Sequence, residues 1–227
     1  MKNIITMIKK QIRDTVKNKP VLIQFLMFPL MTLIFENAID IDMPELFFTK
    51  MFSSMYVGMA PLVAAASIIS EEKEKNTLRV LMMAGVRPFE YLAGISAYIW
   101  ILCMAGSAVM ATGLPSGDIP FYMAIMDAGC IISILIGACI GIFAKNQMVS
   151  TSLMMPVMMV LSFSPMLAMF NDKIEKVARF VFTQQIKVSV DSMGFDGTGR
   201  FGVCVLAANA TLALVLFFAA FRKKGLE

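Results

Sequence analysis

The sequence predicts an all-α membrane protein with six transmembrane helices and no large soluble domain. An amphipathic helix precedes the first span. A charged segment separates spans two and three, and a second amphipathic helix separates spans five and six. Three observations predict this. The 227 residues are 58% hydrophobic and only 16% charged, with a mean hydropathy of +0.75. Soluble domains run at about 45–50% apolar and about 25% charged, so the excess apolar surface here needs lipid. The apolar runs reach about the 20 residues that a helix needs to cross a bilayer. Finally, Lys and Arg are distributed unequally between the two sides of those runs.

Composition also sets exclusions. The chain has no His, and Cys103, Cys130, Cys139 and Cys204 all lie inside apolar runs without a CxxC pair. Neither a zinc site nor a disulfide framework is expected. The 22 Met residues read as flexible packing. The net charge of +4 does not point to nucleic acid, because the basic residues flank apolar spans. The first residues do not have the form of a cleavable signal.

The elements follow in order. In residues 1–19, Ile5, Ile8, Ile12 and Val16 make one helical stripe, and Lys2, Lys9, Arg13 and Lys17 another. Such a helix lies in the membrane surface, its cations near anionic headgroups. Pro20 opens the first span, which reaches about Ile39, with Pro29 placed to kink it. An acidic loop, Asp40 to Glu45, follows. The second span covers about Leu46 to Ser70, the third Tyr91 to Leu114, and Pro115-Ser116-Gly117-Asp118 is a turn. The fourth runs from Pro120 to Ala144, Lys145-Asn146-Gln147 is a polar link, and the fifth covers about Met148 to Phe170. Pro165 is expected to break the fifth near its outer end. The sixth is Phe201 to Phe221, followed by Arg222-Lys223-Lys224.

The segment 171–200 predicts a short outer helix. Ile174, Val177, Ala178 and Val181 share one face, Phe180 adds apolar surface, and Asn171 can cap the start. Asp191 to Arg200 reads as a flexible return. With the N-terminus inside, fourteen of the 20 Lys and Arg fall in inner segments and none in the two short outer loops. Both termini and residues 71–90 are therefore expected in the cytoplasm.

Segment 71–90 carries the functional signal. A helix starting near Ser70 would gather Thr77, Leu78 and Leu81 on one face, with Val80 beside them. Glu71, Glu74, Lys75 and Arg79 would remain in water, the acids in the first turn. Gly85 and Pro88 would end it. A plain connector between antiparallel spans needs only about two to eight residues. This one is much longer and keeps apolar side chains that solvation alone does not favour.

The run Glu71-Glu72-Lys73-Glu74-Lys75-Asn76-Thr77-Leu78-Arg79-Val80-Leu81, then Gly85-Val86-Arg87 and Glu90-Tyr91-Leu92-Ala93-Gly94, resembles the first cytoplasmic loop of ABC-2 type transporter permeases. The resemblance covers nearly the whole chain as one domain, 1–227: an elbow helix (1–19), a coupling loop (71–90), six spans and an outer loop with a short helix (171–200). The family often has Lys after the Gly that starts span three, whereas Ile95 follows Gly94 here. The resemblance implies the membrane subunit of an exporter in the cell membrane, working with a cytoplasmic ABC ATPase and a second copy or related permease. ATP and Mg would sit on that ATPase, because this chain has no phosphate-cradling G-x-x-x-x-G-K-[ST] loop. It also implies that Glu71, Glu72, Glu74, Thr77, Leu78, Arg79, Leu81 and Gly85 meet the ATPase. The apolar, Met-rich spans suit hydrophobic or amphipathic cargo.

Other residues have competing readings. Asp127, about eight residues into span four, is either a cargo-path group or a carboxylate near the interface paired with a polar neighbour. Asn209, Thr211, Ser162 and Ser164 read chiefly as interhelical hydrogen-bonding groups, Asn209 also as a possible path residue. Gly137 and Gly141 form a small-xxx-small pair for close packing. A stand-alone channel or secondary carrier would need polar rows within the spans. An intramembrane protease of the Glu-Glu-x-x-x-Arg type would need Arg at position 76, where this chain has Asn, and a His that it lacks.

Overall fold

The computed structural model describes residues 2–17, 19–38 and 44–224. Its helices are α1 (Lys2–Lys17), α2 (Lys19–Ala38), α3 (Phe47–Glu74), α4 (Thr77–Met83), α5 (Pro88–Met110), α6 (Ile119–Phe143), α7 (Gln147–Ala168), α8 (Asp172–Ala178), α9 (Phe182–Ser192) and α10 (Phe195–Lys224). A 3-10 turn, Ala111–Gly113, follows α5. The acidic loop expected after the first span falls mostly on 39–43, outside the described residues. Among the described residues, five helices are long and apolar enough to cross a membrane: α3, α5 with its 3-10 turn, α6, α7 and α10 from Gly199. The corresponding stretch of α2, Leu22–Ala38, is shorter.

Helix α3 is the axle of the bundle. Its apolar stretch is the most deeply buried of the five, and it packs on α2, α5, α6, α7 and α9. At 28 residues it is about 42 Å long, against about 30 Å of hydrocarbon. One end therefore projects beyond the lipid. Tyr56, Val57, Ala60 and Leu62 on α3 are wholly buried. Close approach to α6 depends on Gly137, where a Cβ would come within 2.2 Å of the Leu62 carbonyl oxygen. Gly141 continues the seam against Ile69.

Hydroxyls stitch the neighbours to α3. Ser133 Oγ on α6 donates to the Val57 carbonyl at 2.6 Å, and Ser150 and Ser162 on α7 donate to Ala66 and Met55. Pro61 lies inside α3. It has no N–H to give the carbonyl four residues earlier, and that carbonyl is Val57. Ser133 thus satisfies a group that the proline leaves open, as hydrocarbon requires. Ser164 was expected to bond in the same way, but its buried hydroxyl has no hydrogen-bond partner among the described residues.

Several expectations are corrected. No helix starts at Ser70: α3 continues to Glu74, and Ser70 Oγ donates back to Ser67 O within it. The acids thus fall in the last turn of α3. Pro165 does not break the fifth span, since α7 runs on to Ala168. The expected amphipathic helix, α8, ends at Ala178, short of Phe180 and Val181, and Val177 and Phe180 are exposed. Asn171 does cap it, its Oδ1 accepting from Lys173 N at 2.9 Å. The expected return, Asp191 to Arg200, is not an open loop either: α9 ends inside it at Ser192 and α10 begins at Phe195. This second helix, α9, is buried among α3, α6, α7 and α10, and α10 has a break at Gly199. In α1, Met7 and Gln11 face the protein, while Ile5 and Ile12 are exposed. Cys204, unlike the other three cysteines, is exposed.

Candidate functional site

The charged end of α3, the short α4 and the start of α5 form a hairpin beyond the apolar spans. Its corners are set by local chemistry. Asn76 adopts a left-handed conformation (φ 55°), which Asn tolerates better than most residues, and its N–H bonds to Lys73 O. α4 then starts at Thr77. It ends in a reciprocal pair of backbone bonds, Gly85 N to Met82 O and Val86 N to Leu81 O, with Gly85 at φ 86°. This is a Schellman turn, in which glycine carries no Cβ penalty. Pro88 then opens α5, where its missing N–H costs nothing.

Carboxylates at the C-terminal end of a helix oppose its dipole, so each acid at the end of α3 needs a donor. Glu71 Oε1 accepts from Lys75 at 2.5 Å. Glu72 is buried; its Oε1 accepts from Gln11 Nε2 at 2.7 Å and from the Lys10 ammonium, both on α1. The buried Tyr91 hydroxyl stands beside Glu72. Glu74 Oε2 accepts from the Gln147 backbone N–H at 2.8 Å, at the start of α7. Lys73 Nζ donates to Ile142 O at the end of α6. The acids thus fasten the root of the hairpin to α1 and α7.

The apolar residues of α4 divide between two directions. Leu78 is 2% exposed and belongs to the core, and Leu81 packs against it, half-buried. Thr77, the first residue of α4, is half-buried, while Arg79 and Gly85 are exposed. Val80, Met83 and Phe89 point outward, Phe89 being 77% exposed. Phe89, inside segment 71–90, was not among the residues singled out from the sequence.

The other residues singled out lie elsewhere. Asp127 is half-buried and accepts from Trp100 Nε1 on α5. Asn209 Nδ2 donates to Phe180 O at 3.0 Å and to Val205 O at 2.8 Å, tying α10 to the turn between α8 and α9. Ile174 is half-buried, and Val181 is half-buried and packed on the core.

No curated protein matches this sequence. A family model described as ABC-2 family transporter protein matches residues 1–221, from the first helix almost to the end of α10. Those residues include the hairpin and, but for the last residues of α10, the five long apolar helices found among the described residues. The chain thus belongs to the ABC-2 transporter family, as a multi-pass permease that is not itself catalytic.

Proposed function

We propose that this permease is the transmembrane subunit of an ATP-driven exporter, and that a separate cytoplasmic ATPase seats on the outward face of the α4 hairpin. The exposed set of Val80 and Met83 on α4, whose opposite side is anchored in the core, with Phe89 at the start of α5, is the observation that supports this most strongly. Apolar residues on a membrane-external hairpin suit a protein partner. The anchoring by Leu78 and the Glu72 contacts make the hairpin a lever: force on α4 passes to α3, which touches most of the bundle.

In this reading ATP and Mg bind only the partner, and this chain holds no cofactor. Hairpin and both termini would face the cytoplasm from a cell-membrane protein, a reading that the excess of Lys and Arg in those segments supports. A second copy or related permease completes the path, and the cargo is hydrophobic or amphipathic. Outer helices α8 and α9 would form the exit side. A photo-cross-linking amino acid at position 80 tests the seat. An adduct with an ATP-binding subunit is expected; adducts with lipid alone would overturn the assignment.

A further inference from the structure

Beside the hairpin lies an open cleft of about 1470 Å³ between α4 and the ends of α6 and α10. Its lining includes Arg79, Arg87, Lys145, Arg222 and Lys223, all exposed, and no carboxylate. Among the described residues none of these five forms an ion pair. A concave surface of one sign raises the local concentration of the opposite sign. The cleft is also where spans end: Phe143 closes α6, Pro88 opens α5 and Phe221 lies near the end of α10. Phe143 and Phe221 give the cations an apolar neighbour at the membrane surface.

We infer that this cleft holds the headgroup of an anionic phospholipid. The guanidinium and ammonium groups would take the phosphate. The phenylalanine rings and Met82 would take the glycerol and first methylenes. Basic pockets between spans at the membrane surface suit such headgroups. The volume exceeds the roughly 300–1,000 Å³ of a small-molecule pocket, which suits a headgroup with its backbone better than a free metabolite. An acidic segment of a partner protein would meet the cations, but would not by itself use the rings at the ends of the spans. A bound lipid would brace α4 against α6 and α10. Met83 lines the cleft and also belongs to the proposed ATPase seat, so the lipid is tested on the permease alone, where no ATPase covers that residue.

Native mass spectrometry of the purified full-length chain, without any ATPase, tests it. The protein is offered phosphatidylglycerol and phosphatidylcholine in equal amounts. Wild type should retain phosphatidylglycerol selectively. At roughly fivefold per cation, R79Q/R222Q should lose on the order of twentyfold in that retention. K173Q/K176Q removes equal charge from exposed positions of α8, which do not line the cleft, and should retain the lipid. Unchanged thermal unfolding would show that both variants remain folded. Equal retention of the two lipids, or equal loss in both variants, overturns the inference. Displacement of the lipid by millimolar inorganic phosphate would instead assign the cleft to free phosphate. Absence of any lipid adduct, with position 222 cross-linking to an added ATPase, would assign it to protein.

Discussion

Gln11 donates its side-chain amide to Glu72 at 2.7 Å, joining two residues 61 positions apart. The contact is buried, and Lys10 shares the same carboxylate oxygen. It connects the amphipathic first helix to the root of the α4 hairpin. Glu72→Ala would leave the Gln11 amide buried and unsatisfied, at a cost of about 1–3 kcal/mol. The loss should be local, freeing α1 from α3. Trypsin cleavage after Lys9, Lys10 or Arg13 should accelerate in Glu72→Ala and only weakly in Glu72→Gln, which keeps an acceptor for Gln11. Equal cleavage rates in all three proteins would show that α1 is held by other contacts.

Gly137 sets the distance between α3 and α6. A methyl group there would sit 2.2 Å from a backbone oxygen, which cannot swing aside as a side chain can. Gly137→Ala should therefore cost about 1–3 kcal/mol through overpacking. Gly117 has nothing within 4 Å of its ideal Cβ, so Gly117→Ala should be near neutral. Thermal unfolding in detergent compares them. A Gly137→Ala protein as stable as wild type would mean that the two helices can separate freely.

Ser133 and Pro61 should be coupled. Ser133→Ala leaves the Val57 carbonyl without its donor, and interhelical bonds of this kind are worth about 1 kcal/mol. In a chain of this size that lowers Tm by about 2–4 °C. Pro61→Ala supplies a backbone N–H for the same carbonyl. In that background the cost of Ser133→Ala should largely vanish, and a double-mutant cycle measures the difference. Strictly additive effects would deny the link between proline and serine.

What could be read from sequence follows from what drives each element. The long spans were legible because lipid demands an uninterrupted apolar run, and α3, α5, α6, α7 and α10 all supply one. Helix α9 was not. Thr183, Gln184, Gln185 and Ser189 are polar, yet all four are buried. Their burial comes from packing between distant spans, which no local period reports. Only the isolated large residues Phe182, Ile186 and Val190, also buried, marked the segment. The hairpin was legible as an element but not in its orientation. Leu78 and Val80 look alike in sequence, and only the position of the bundle separates an anchor from an exposed face. Glu72 was misplaced for the same reason: its donors lie on α1, outside any local pattern.

That separation sharpens the test of the lever. Replacing Glu71, Glu72 and Glu74 together by Lys is a poor probe of ATPase contact. It would destroy the buried acceptor for Gln11 and the Glu74 contact that holds the start of α7. Val80→Asp/Met83→Asp touches only the exposed side, at positions 57% and 75% exposed. This variant should fold, with a thermal transition near that of wild type, because exposed substitutions usually change stability by less than about 0.5 kcal/mol. Leu78→Ala should behave in the opposite way, losing about 2–5 kcal/mol because it empties a core site. With the cognate ATPase reconstituted in proteoliposomes, Val80→Asp/Met83→Asp should reduce transport at least tenfold while ATP hydrolysis continues. Transport at the wild-type rate by that folded variant would remove α4 from the path of force.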